Sequence, residues 1–306
     1  MVQQNIAARS ISAMREWRQR DWLAAYIFLA PAAAIFAALI AYPFADGIAT
    51  SFTDRAVAQP GSFIGFDNFA KLMTDEHFLG AAMNSLVLTV CVVTMKLILG
   101  LASAALLSQP MPMRGLIRAL VFLPWAVPGL IAGLSWKWIF DEQAGVLNSL
   151  LLELGIVGQP VYWLSDPFIA KFSIGIAMVW HGLPFFTMMF LAAMTAIPAD
   201  LKEAAVLDGA SPWRRYRSVT LPQMREVISV TVMLSAIWTF NSFHMVFILT
   251  GGGPAMRTHI LPTLAYEYGI TQSQLGLGSA VLVSVVPVFL VLIVVLTRRM
   301  LQSNRR

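Results

Sequence analysis

Long apolar runs separated by short polar ones dominate the chain from residue 22 onward. Six of them, Trp22–Phe44, Ala81–Leu107, Leu116–Ile139, Phe168–Ile197, Val227–Leu249 and Leu275–Leu296, reach the length of about 20 residues that carries a helix across ~30 Å of hydrocarbon. Each must be helical in lipid, because an isolated strand would leave its backbone groups unpaired there. The pattern predicts an all-α membrane protein of six transmembrane helices. Pro124, Pro128, Pro184 and Pro287 fall inside spans, and each removes an i→i−4 hydrogen bond, so kinked helices are expected. Arg9, Arg15, Arg18 and Arg20 precede the first run in the manner of a signal peptide. That run is about twice the length of a signal peptide's apolar core, and no small-residue cleavage site follows it, so it reads as a retained span.

Composition agrees with the pattern. Apolar residues make up 58% of the chain and charged ones 12%, more apolar surface than one soluble core requires. The single cysteine, Cys91, excludes a disulfide framework or a thiolate metal site within the chain. The net charge of +5 is informative mainly through its placement. With the N-terminus cytosolic, fifteen Lys and Arg fall in the N-tail, beside Arg114 and Arg118, between Lys202 and Arg225, and after the last span. Only Arg55, Lys71, Lys137, Lys171 and Arg257 fall outside, and Lys96 lies within the second span. This asymmetry places both ends in the cytosol. Charge spread over four inner segments, rather than gathered in one patch, gives no nucleic-acid interface. The expected organisation is a cytosolic tail over 1–21, one transmembrane domain over 22–296 and a second tail over 297–306. In the outer segments, Gly65-Phe66-Asp67-Asn68-Phe69 reads as an ordered turn, and Tyr162 and Trp163 as an interfacial anchor.

The segment 198–224 carries the most information. Pro198 to Trp213 reads as two short helices joined by a tight turn, with Asp200 as N-cap and Glu203 closing a capping box. Gly209 follows the first helix where φ > 0 is wanted. Ser211 caps the second helix, with Pro212 at its first position. Helices this short are marginal in water, so a partner must dock on them, and the small Ala204 and Ala205 let it approach the backbone. Glu203-Ala204-Ala205, Asp208-Gly209-Ala210 and Val219-Thr220-Leu221-Pro222 resemble the EAA motif of permeases in binding-protein-dependent ABC importers. Val219 stands where isoleucine is commoner. A second block, Phe240-Asn241-Ser242-Phe243 with Leu249-Thr250-Gly251-Gly252-Gly253-Pro254, resembles the fifth-span segment of carbohydrate-uptake permeases of the maltose-transporter larger-subunit type.

The resemblance implies a type I importer permease fold in a bacterial inner membrane. It implies a second homologous permease subunit, two copies of a cytosolic ATPase and an extracytoplasmic solute-binding protein as partners. Glu203, Ala204, Ala205, Asp208, Gly209 and Ala210 would then couple to the ATPase. No Gly-x-x-x-x-Gly-Lys-Ser/Thr loop occurs in the chain, so ATP and Mg are expected on the partner and no cofactor on this one. The same resemblance assigns a solute pathway to Met178, His181, Gly182 and Phe185 in the fourth span and to Trp238, Thr239 and Ser242 in the fifth. The family has Asn at the positions of Met178, Thr239 and Ser242, so the location of the site is kept and its chemistry changed. Phe185 and Trp238 suit stacking on a sugar ring, and His181 suits hydrogen bonding to hydroxyls or an anionic group. Asn241 is a further candidate for the pathway; His181 equally suits a backbone carbonyl freed by a kink, and Asn241 and Ser242 equally suit gluing helices together. Lys96, with no obvious carboxylate partner in another span, must face the bundle or water; packing or snorkelling competes with a transport role. His244 has no evident task. An ion-coupled transporter would carry acidic residues inside its spans, and a membrane-embedded enzyme would carry a His-Glu-x-x-His or Ser/Lys cluster; neither pattern occurs.

Overall fold

The computed structural model describes residues 22, 24–287 and 289–290. Both expected cytosolic tails and the end of the sixth span lie outside the described residues. Among those described there is no β-sheet, only a single antiparallel bridge between Thr53 and Phe63.

The chain opens on α1 (Ala24–Ser51), whose most apolar stretch has none of its residues buried in this chain. It runs past the expected end at Phe44 and widens into a π-turn over Ala37–Ala41, just ahead of Pro43. Pro43 has no N–H for the carbonyl one turn back, and the π-turn absorbs that mismatch. After the turn at Gly65-Phe66 comes α2 (Asp67–Thr74). Its buried Asn68 donates from Nδ2 to the carbonyls of Ser51, at 3.0 Å, and Thr53, at 2.8 Å. α3 (Glu76–Ser108) starts where the Asp75 side chain accepts from His77 N–H. α7 (Pro167–Ala196) starts where Asp166 accepts from Phe168 and Ile169, with Pro167 at the first position. α3 and α7 lie against each other along most of their length and form the spine of the bundle. α7 passes Pro184 without breaking.

The third expected span is not one kinked helix. It is α4 (Arg114–Ala126) and α5 (Gly129–Ile139), bent by 95°. Val127, held extended at ψ 125 ahead of Pro128, causes the break. Arg114 and Arg118 donate to the carbonyls of Leu107 and Ser108, which α3 leaves unpaired at its C-terminus. α6 (Val146–Glu153) follows in the loop before α7. The loop at the far end of α7 carries α8 (Ala199–Leu207) and then α9 (Pro212–Phe240), which bends by 42° into α10 (Phe243–Thr250). α11 (Leu261–Tyr266), with its π-extension over Glu267–Thr271, and α12 (Leu275–Val283) complete the described helices. The helix of α12 is interrupted at Ser284 and Val285, before Pro287. Among the described residues three helices are long and apolar enough to cross a membrane, or up to five if each bent pair counts as one span.

Three apolar clusters hold the bundle. One, around Leu72, Leu264 and Val281, joins α2, α11 and α12. A second, around Val92, Ile174 and Met245, joins α3, α7 and α10. The third, around Leu107, Phe186, Phe190 and Met224, lies at the end that carries α8. Trp163 is part-buried against the second cluster, whereas Tyr162 is exposed.

A polar clamp closes the loop between α5 and α7. Asn148 donates to the carbonyls of Glu142, at 3.1 Å, and Val161, at 3.0 Å. Its Oδ1 accepts from Val161 N–H, at 3.0 Å, and Trp163 Nε1–H, at 2.9 Å. Removing this buried amide leaves partners unpaired, so Asn148→Ala should cost on the order of 2–4 kcal/mol. A lowered unfolding midpoint of the detergent-purified protein would register it.

Candidate functional site

The loop after α7 is built as its residue types require, with two corrections. The expected capping box does not form. Pro198, at φ −51 and ψ 136, is itself the N-cap, and its fixed φ starts the helix at Ala199. Asp200 therefore lies inside the first turn, where its charge complements the helix dipole without capping. The C-terminus matches expectation: Gly209 N–H donates to Val206, Ala210 N–H donates to Ala205, and Gly209 takes φ +71. These two bonds form a Schellman motif. Ser211 Oγ accepts from Arg214 N–H at 3.3 Å with Pro212 at the first position.

The second correction is that the helix after the turn is not short. It runs from Pro212 to Phe240 through a π-turn at Tyr216–Thr220, which accommodates Pro222 much as the earlier one accommodates Pro43. Lys202 Nζ donates to the Met194 carbonyl at 3.0 Å and ties α8 to the end of α7. Ala205 is buried, while Glu203, Ala204, Asp208 and Gly209 are exposed. Leu207 is 88% and Trp213 69% exposed: the loop shows an apolar surface that nothing in this chain covers.

A cavity of about 180 Å³ lies among α3, α4, α7, α9 and α10. Of the expected pathway residues, Met178, His181, Gly182 and Phe185 from α7 and Trp238, Thr239 and Ser242 around the end of α9 line it together. Asn241 does not. It caps the end of α9 by donating to the Ile237 carbonyl at 2.8 Å and faces a separate depression with Leu261 and Phe289. Phe185 and Trp238 meet at 5.0 Å between ring centroids, with Trp238 54% exposed. His181 Nε2–H donates to the Val127 carbonyl at 3.0 Å. It thus pairs with a carbonyl at a proline-associated break, though in the third span rather than its own.

Lys96 is 7% exposed, and its Nζ donates to Thr239 Oγ1 at 3.2 Å. Its stem lies across Gly182, where a Cβ would stand 2.5 Å from Lys96 Cε. Trp125, Ser235, His244 and Met245 also line the cavity and were not expected there; only their juxtaposition in the fold points to them. A larger depression of about 570 Å³ between Asp46 and Gly61 is open, and it holds none of the expected site residues.

Helices long and apolar enough to cross a membrane, with a lined cavity among them and a capped helix–turn–helix exposed at one end, define a membrane-embedded helical protein. Over residues 96–305 the chain matches the family described as binding-protein-dependent transport system inner membrane component. It is 37% identical over 219 residues to the trehalose/maltose transport system permease protein MalF of Thermococcus litoralis, covering 72% of this chain and 73% of that one. It is 34% identical over 265 residues to the sulfoquinovosyl glycerol transport system permease protein SmoG of Agrobacterium fabrum, covering 86% and 85%. A solved bacterial ABC transporter involved in import of the acidic polysaccharide alginate contains a chain of the same fold, with TM-score 0.80 at 24% identity, over 93% of this chain and 98% of that one. The chain belongs to the binding-protein-dependent transport system inner membrane components. It is a multi-pass importer permease, a transport subunit rather than an enzyme.

Proposed function

We propose that this chain forms one half of the translocation path of an ATP-driven importer in a bacterial inner membrane, carrying a sugar or related polar solute inward by alternating access. The observation that carries the reading is the continuity of α9. One helix runs from Pro212, at the turn of the exposed loop, to Trp238 and Thr239 in the cavity wall. At 1.5 Å per residue that is about 40 Å of rigid rod, long enough to pass a displacement from one end of the bundle to its middle. Six spans follow from the apolar runs and cytosolic termini from the charge asymmetry, which together put the loop on the side where ATP is found. Glu203, Ala204, Ala205, Asp208, Gly209 and Ala210 seat on a cytosolic ATPase, present twice, which binds ATP and Mg. A second homologous permease covers the exposed apolar face of this one together with lipid, and an extracytoplasmic binding protein delivers the solute. Relatives named for trehalose/maltose and sulfoquinovosyl glycerol transport support a carbohydrate-type solute.

Met178, His181, Gly182, Phe185, Trp238, Thr239 and Ser242 contact the solute, and Asn241 holds the break beside it. Truncating an aromatic anchor removes about 2 kcal/mol of binding, roughly thirtyfold. Uptake of labelled sugars into liposomes containing the assembled transporter should therefore fall by about that factor in Trp238→Ala, with assembly unchanged. Wild-type uptake in both Trp238→Ala and His181→Ala would remove the cavity from the path.

A further inference from the structure

The cavity presents a cation and, among the described residues, no acid. Its polar lining consists of Lys96, His181, His244, Ser235, Thr239 and Ser242, and no aspartate or glutamate among the described residues lines it. Among the described residues the one ion pair is Arg55–Asp46, at the opposite end from α8. Lys96 is more than nine-tenths buried, and the partner found for its ammonium is the hydroxyl of Thr239. A buried cation without a counter-charge is costly in a membrane and is retained where something else supplies the charge.

Its placement is also specific. Gly182 leaves the space in which the Lys96 stem lies, so the amine is held at the cavity wall rather than drawn to either end of the span. The neighbouring Phe185–Trp238 pair offers an apolar face for a ring. The hydroxyls of Ser235, Thr239 and Ser242 both donate and accept and could serve a neutral sugar, but a neutral sugar has no use for a buried cation. A lining centred on a buried cation, with no carboxylate among the described residues to neutralise it, complements an anionic group attached to a ring.

We propose that the solute carried through this cavity is anionic, a sugar or polyol bearing a carboxylate, sulfonate or phosphate, and that Lys96 is its counter-ion in passage. This rests on the reading of the cavity as the solute pathway.

The test uses the complete transporter, with its partner subunits and binding protein, in liposomes. Uptake is measured for neutral methyl glycosides, each paired with its 6-carboxylate, 6-sulfonate and 6-phosphate counterparts. The wild type should take up at least one anionic member tenfold or more faster than its neutral partner. Lys96→Gln and Lys96→Met should lose that preference by tenfold or more, while Lys96→Arg keeps most of it. Lys96→Met places an apolar side chain in an apolar helix, and assembly of each variant is verified by gel filtration. No uptake of any anionic member, or anionic uptake that survives Lys96→Met, overturns the proposal. In the first case neutral uptake that falls in Trp238→Ala leaves the pathway reading standing. ATP-driven uptake unmoved by both Lys96→Met and Trp238→Ala overturns the two together.

Discussion

Replacing Gly209 by valine is expected to give a permease that inserts and packs normally but no longer moves solute on ATP hydrolysis. A Cβ at this position would meet nothing within 4 Å, so no steric clash obscures the result. The whole effect comes from the backbone, which sits at φ +71. An L-residue there costs about 1–2 kcal/mol, and a β-branched one more. The simplest escape is to unwind the last turn of α8, giving up the bonds from Gly209 and Ala210 to Val206 and Ala205. A helix of nine residues has little else to hold it. Gly209→Ala should lower the docking-competent population about five- to thirtyfold, and Gly209→Val should abolish measurable coupling. Uptake and solute-stimulated ATP hydrolysis in liposomes would be compared with the amount of correctly inserted protein. Full uptake by the valine variant would sink the role assigned to the loop.

Gly278→Leu is expected to prevent the bundle from closing at all. A Cβ on Gly278 would lie 2.6 Å from both the Ala265 carbonyl oxygen and Gly269 Cα. These are backbone atoms, which cannot rotate away. Without a hydrophobic drive between helices in lipid, such close backbone approaches supply much of the association energy. Alanine at 278 should cost about 1–3 kcal/mol through overpacking, seen as a lower melting temperature in detergent. Leucine should push α12 off α11 and leave little folded protein in the membrane fraction. Gly47→Ala is the control, because a Cβ there meets nothing within 4 Å; a melting temperature equal to or above wild type is expected.

Hydropathy made the helical class and most span positions legible, because lipid imposes a length and a composition on every crossing segment. What it missed were discontinuities. The run Leu116–Ile139 is uniformly apolar, yet Pro128 and the residue before it turn α4 away from α5 by 95°. Hydropathy averages over that bend. The start of α8 was misread because Asp200 and Glu203 have capping-box spacing, while the φ of Pro198 decides the helix start first. Gly209 was readable because one backbone geometry there admits few other residues. At the cavity, α7 and the end of α9 were foreseen from their resemblance to carbohydrate permeases. Trp125, Ser235, His244 and Met245 carry no local sign of their position, which arises only when five helices converge. Lys96 stood out as an oddity in an apolar helix, but its neighbours Thr239 and Gly182 are far away in sequence.

The apolar cluster between the cavity and α8 has a consequence for the resting cell. Leu107, Phe186, Phe190 and Met224 are fully buried there, and Leu191 and Met194 nearly so. A proton or metal ion entering this layer would shed its hydration and find no group to replace it. On the proposed solute path the layer would insulate this chain, letting the cavity fill and empty without short-circuiting the membrane potential. Polar substitutions at Phe186 or Phe190 would be felt first as ion leak and loss of voltage, before any change in which solute is carried.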